Sequence, residues 1–125
     1  MAQWFLAIAA LLGGTSVALG AFGSHALRER LTERALEIFE TGNRYQMYHA
    51  LALLLVGVLL SRAEFTQGWL TVSGWSFVVG VLIFSGSLYA LSLSGVKWLG
   101  AIAPLGGLAF IVGWGCLAIA SFGYK

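Results

Sequence analysis

Charge is scarce in this sequence: 10% of its 125 residues are Asp, Glu, Lys or Arg. None of them falls in residues 1–24, 45–61, 65–96 or 98–124. No carboxylate therefore lies inside a long apolar stretch, which counts against a proton relay through the membrane. The single cysteine, Cys116, excludes an internal disulfide and leaves the redox compartment unread. In the longest polar stretch, RERLTERALEIFE, basic residues alternate with acids, so a nucleic-acid surface is not expected. The first apolar segment has no Lys or Arg ahead of it, as a secretory signal would, and it reads as a retained helix.

What is abundant is hydrocarbon. Hydrophobic residues make up 59% of the chain and mean hydropathy is +0.88, far outside soluble norms. A spanning helix needs about 20 predominantly apolar residues, and the four uncharged stretches each approach or exceed that length. The expected fold is an all-α integral membrane protein, with four transmembrane helices in one antiparallel bundle. The spans are placed at about 3–23, 44–61, 69–93 and 101–123. The second is the shortest, and it reaches across only if its polar opening, RYQMYH, is counted.

Between the first two spans, Leu27, Leu31, Ala35, Ile38 and Phe39 recur at spacings of three and four. On the other side Arg30 and Glu33, Arg34 and Glu37, and Glu40 and Arg44 are spaced to pair. The spacing predicts an amphipathic helix over about 25–41, lying in the membrane interface. Gly42 reads as its C-terminal stop, Asn43 as the N-cap of the next helix, and Gln46 completes a capping box. The only proline, Pro104, either opens the fourth helix or sits inside one that starts near Trp98, and the first option is slightly preferred.

Orientation follows from basic residues in short connections. Arg28, Arg30, Arg34, Arg44 and Lys97 lie on one side, Arg62 and Lys125 on the other. The positive-inside rule puts both termini outside. Trp4, Trp69, Trp75, Trp114 and Tyr124 then gather toward the outer ends, with Tyr45, Tyr48 and Trp98 toward the inner, as interfacial belts.

Lipid offers no hydrophobic force between helices, so close contact through small residues has to hold the bundle. Of the 17 glycines, Gly13, Gly20, Gly86, Gly107 and Gly113 are expected at helix contacts. His25, Tyr45, Gln46, His49, Ser85 and Tyr89 all fall toward the inner end, where they form a candidate polar layer. It has two readings: hydrogen bonds that tie helices together, or the lining of a path for a small ligand or ion. Two histidines fall short of a metal's ligand count, and a glycine-tight bundle leaves little room for haem, so no metal or cofactor is expected. No serine has nucleophile-elbow spacing and Cys116 stands alone, so no catalytic residue is assigned and the chain is not expected to be an enzyme.

Four ordered stretches, GAFGSHAL, YQMYHALAL, FSGSLYALSLSG and APLGGLAFIVGWG, together resemble the small bacterial membrane proteins grouped as domain of unknown function 423. That family is itself similar to the eukaryotic transmembrane protein 256. The likeness spans nearly the whole chain, and the intervals between the four stretches make it specific. It implies a four-helix protein of the bacterial inner membrane, with no established activity, substrate or cofactor. The family's characteristic positions fall on Gly20, Gly23, His25, Tyr45, Gln46, His49, Gly86, Ser87, Tyr89, Pro104, Gly106, Gly107, Gly113 and Trp114. Ser24 stands where the family often has Ala, and Ala103 where Thr commonly precedes the proline, which removes a hydroxyl there.

The expected function is that of a non-enzymatic structural or accessory membrane protein acting through helix association. Its expected partners are the lipid bilayer and either a second copy or a larger membrane complex. The alternative is a carrier or binder that uses the polar layer around His25 and His49.

Overall fold

Four long helices and no strand make up the described residues of the computed structural model, which covers residues 1–125 apart from the side chain of Ser24. They are α1 (Ala2–Leu27), α2 (Glu33–Arg62), α3 (Gln67–Ser94) and α4 (Leu99–Phe122), each long and apolar enough to cross a membrane. Short turns join them, so helices adjacent in sequence run antiparallel. The four-span, all-α architecture expected from hydropathy is the one observed.

The second helix is the centre of the bundle. It buries 44% of its most apolar stretch, against 17% for α1, which packs chiefly on α2 and touches α3 near its N-terminal end. Leu53 and Val56 of α2 join Phe5, Leu70 and Phe77 as fully buried side chains, while Leu51, Leu54 and Leu55 face outward to lipid.

The separate amphipathic helix expected over 25–41 does not form. Residues 25–27 finish α1, and α2 runs unbroken from Glu33 through Gly42 and Asn43 to Arg62. Its cap is Thr32, whose hydroxyl accepts the Ala35 N–H at 3.1 Å, with Glu33 in the first turn favouring the positive end of the helix dipole. Gly42 and Asn43 are committed to neighbouring helices instead. The Gly42 carbonyl accepts the Ser85 hydroxyl at 2.6 Å, and a side chain at 42 would press on Leu88, Tyr89 and the Ser85 backbone. The apolar stripe therefore docks onto the bundle, with Phe39 buried and its ring 5.0 Å from that of Tyr89. Of the three expected ion pairs only Arg34–Glu37 forms among the described residues, exposed and 3.4 Å long. An exposed pair of this kind adds little to stability.

Both α1 and α3 carry one π turn, at Leu19–Gly23 and Val81–Ser85, and both turns lie at the level of Gly42 and Asn43. Such turns widen a helix by one residue and re-aim its side chains. In α3 the turn delivers Ser85 to the Gly42 carbonyl.

The fourth helix takes the other of the two starts considered for it. It begins at Leu99, capped by Trp98, and Pro104 lies inside it. The turn before it is tightened by i→i+3 bonds from Leu99, Gly100 and Ala101 to Val96, Lys97 and Trp98. Pro104 crowds and cannot bond the carbonyl four residues back, and that position is Gly100.

Aromatic rings set into glycine gaps join the spans. Phe5 lies on Gly74, Phe110 on Gly80, and Phe77 on Gly113, while the backbone of Gly106 lies directly against that of Phe84. Of the glycines expected at contacts, Gly113 is sealed by Phe77 and Gly20 by the Asn43 amide, and Gly107 only grazes Phe84. Gly13 and Gly86 are a correction: both face open space within the chain.

At the opposite end from Thr32, the C-terminus is tied to the α2–α3 turn. The Tyr124 hydroxyl donates to the Leu59 carbonyl at 3.1 Å, and the Glu64 N–H donates to the Lys125 carbonyl at 3.2 Å. Thr66 in that turn adopts a left-handed φ of 62°, with its buried hydroxyl unpartnered.

Candidate functional site

The residues expected to form one polar layer separate into two clusters on adjoining flanks of α2. Gln46 and Asn43 face α1 and one edge of α3, while Tyr45 and His49 face α3 and α4.

Gln46 is 4% exposed and uses both ends of its amide. Its nitrogen donates to the Leu12 carbonyl and to the Thr15 hydroxyl, each at 2.9 Å. Its oxygen accepts the Tyr89 hydroxyl at 2.6 Å, so one side chain joins three helices. The Tyr89 hydroxyl also lies 3.3 Å from Asn43 Oδ1, but it has one hydrogen and the shorter contact takes it. Asn43 Oδ1 is instead satisfied by the Ser16 hydroxyl at 2.7 Å. Donors and acceptors thus meet inside the bundle, where an unpaired polar atom would be costly.

His49 is held from both sides. Its Nδ1 lies 2.8 Å from the Tyr45 carbonyl, an obligate acceptor, so Nδ1 carries the hydrogen and donates it. Nε2 is then the acceptor, and it receives the Trp114 indole N–H at 3.0 Å. The neutral imidazole stacks on Phe110 with ring centres 3.5 Å apart and planes 7° from parallel. Phe77 lies 5.4 Å away, and Trp114 meets the imidazole edge-on. A second proton on Nε2 would set two donors face to face, so this packing selects the uncharged form.

Several expected site residues have other places. His25 is exposed in the last turn of α1. With Ser16 level with Asn43, the sequence offsets put His25 and His49 roughly 20 Å apart along the bundle at 1.5 Å per residue. The two histidines cannot share one ligand, and no group of three metal-ligating side chains occurs among the described residues. Ser85 serves the Gly42 carbonyl, and Tyr45 contributes its carbonyl to His49 and its ring to Phe84, 4.7 Å away.

Sequence reasoning missed Thr15, Ser16 and Trp114 as members. Trp114 was assigned to an interfacial belt, yet it lies eight residues short of the end of α4, roughly 12 Å in, and its indole serves His49. A signal for Thr15 and Ser16 was available: they are adjacent polar residues midway along an otherwise apolar stretch of α1.

Comparison with known proteins bears on the same stretches. The family model described as "Protein of unknown function (DUF423)" matches residues 19–107, which run from the π turn of α1 past Pro104. The chain belongs to this family. A UPF0382 membrane protein of Staphylococcus aureus is 42% identical over 118 residues, 94% of each chain. The UPF0382 membrane protein YwdK of Bacillus subtilis is 41% identical over 120 residues, 96% of this chain and 97% of its own. No solved structure matches. With four spans and relatives that are membrane proteins, this family member is a multi-pass membrane protein in contact with lipid.

Proposed function

We propose that this is a non-enzymatic protein of the bacterial inner membrane that acts by helix association, with both termini on the outer side. The observation that carries the reading is how the molecule divides its surfaces. Buried polar side chains find their partners within the chain, and the outward face of α1 carries a line of small residues among large apolar ones such as Leu11, Val17 and Phe22. Ala10, Gly14 and Ala18 lie four apart on that exposed face, and a side chain added at Gly14 would meet nothing. This is the spacing that lets a second membrane helix approach closely.

A catalytic reading needs a base with a free lone pair, and both nitrogens of His49 are engaged. A carrier reading needs polar atoms turned toward a ligand, whereas those of Gln46 and Tyr89 face each other. The partner is a second copy of the chain or another membrane protein.

Crosslinking in native membranes, followed by purification in mild detergent, tests this. The wild-type chain should be recovered in a complex of fixed stoichiometry, and Gly14→Leu should reduce that complex about tenfold without lowering the melting temperature. Recovery only as a monomer, or a complex indifferent to Gly14→Leu and to bulky changes at Ala10 and Ala18, overturns it. A reporter fused after Lys125 should read as external; an internal signal reverses the orientation.

A further inference from the structure

One basic cleft takes no part in the clusters above. It lies between the N-terminal half of α2 and α3, has a volume of about 390 Å³, and is bounded by Arg34, Glu37, Thr41 and Arg44 above Phe84 and Leu88. Arg34 leans on Glu37 at 3.4 Å. Arg44 is exposed and donates only to the Thr41 hydroxyl at 3.2 Å; among the described residues no carboxylate lies within 4.0 Å of it.

Depth makes that arginine unusual. Its neighbour Tyr45 packs on Phe84, ten residues and roughly 15 Å from the end of α3 at Ser94. Gly106, on the other side of Phe84, is seven residues and roughly 10 Å from the start of α4. Arg44 therefore stands on the outer wall of the bundle, well below its end. A guanidinium at that depth must reach up to the headgroup layer or acquire a counter-charge.

Phe84 also walls a second space, an apolar groove of about 500 Å³ that continues past Pro104 and Gly107 toward Trp114 and opens sideways. We infer that the Arg34–Arg44 cleft binds the phosphodiester of an anionic glycerophospholipid, with one acyl chain lying in the groove beyond Phe84. Two guanidiniums against one carboxylate leave a net charge of +1, which matches a headgroup with one negative charge. The shared wall explains why the ligand is a lipid and not free phosphate, which would use the cleft alone. The site is independent of the association face on α1.

Native mass spectrometry and thermal melting of the detergent-purified chain test this, with phosphatidylglycerol, phosphatidylcholine and inorganic phosphate as the probes. Phosphatidylglycerol should be retained as one bound molecule per chain and should raise the melting temperature. Phosphatidylcholine should bind about tenfold more weakly, and millimolar inorganic phosphate should not displace the lipid. Arg44→Gln should weaken phosphatidylglycerol about tenfold, Gly107→Leu should weaken it by filling the groove, and Arg62→Gln at the far end should leave it unchanged. Should Arg44→Gln fail to fold, the exposed Arg34→Gln carries the test. Equal retention of the two lipids, displacement by phosphate, or indifference to both arginine substitutions overturns the proposal.

Discussion

Gly106→Ala should destabilise the folded chain by about 3 kcal/mol, although it adds a single methyl group. The added carbon would lie against the backbone nitrogen and Cα of Phe84, atoms that cannot rotate aside as a side-chain tip can. Relief requires α3 and α4 to separate, and separation loosens Phe77 on Gly113 and Phe110 on Gly80, the two ring-in-gap contacts next along the same interface. In a bilayer nothing but this packing and a few hydrogen bonds holds the pair together. Unfolding by SDS titration in mixed micelles measures the loss. Gly115→Ala in the same helix, where the added methyl meets open space, should stay within about 0.5 kcal/mol of wild type. Equal behaviour of the two variants would show that the α3–α4 contact has room for the added methyl.

His49→Ala should cost about 3 kcal/mol, by two routes. It empties the space between Phe77, Phe110 and Trp114, and it leaves the Trp114 N–H without an acceptor. Trp114→Phe alone should cost about 1 kcal/mol, because it strands Nε2 instead. The double variant should cost less than the sum of the two, by about 1 kcal/mol, since the partner stranded in each single variant is then gone. Strict additivity in the same SDS titration would mean that the hydrogen bond contributes nothing and that only the stacking matters. A His49 that serves packing loses stability in these variants without change in any flux across the membrane.

Much of the architecture was legible because hydropathy is a property of the chain summed over a membrane's thickness. Four uncharged stretches require four spans whatever their neighbours do. The boundaries of α3 fell within about two residues of expectation, because the short turns that flank it leave little room for error. The helix containing Gly42 and Asn43 was misread for a definite reason. A Gly-Asn pair is a stop-and-cap signal worth about 1 kcal/mol when judged locally. The same pair also lets two helices touch and supplies a carbonyl acceptor between them. Which use prevails depends on Ser16, Ser85 and Tyr89, residues 27 or more positions away in sequence.

The polar residues divide the same way. Their types could be read directly, but their level could not: His25 and His49, expected at one end, lie roughly 20 Å apart along the bundle. Nor could rotation about each helix axis, because the hydrophobic pattern that would set it is nearly absent where almost every residue is apolar. Gln46 and His49 are three residues apart and face different helices, so one joins Thr15 and Tyr89 while the other joins Trp114. The sequence by itself determined the membrane, the number of spans and the family. Tertiary packing alone decided that α2 is continuous and central, and that Gln46 and His49 serve separate clusters, because both depend on contacts between helices that carry no local signature.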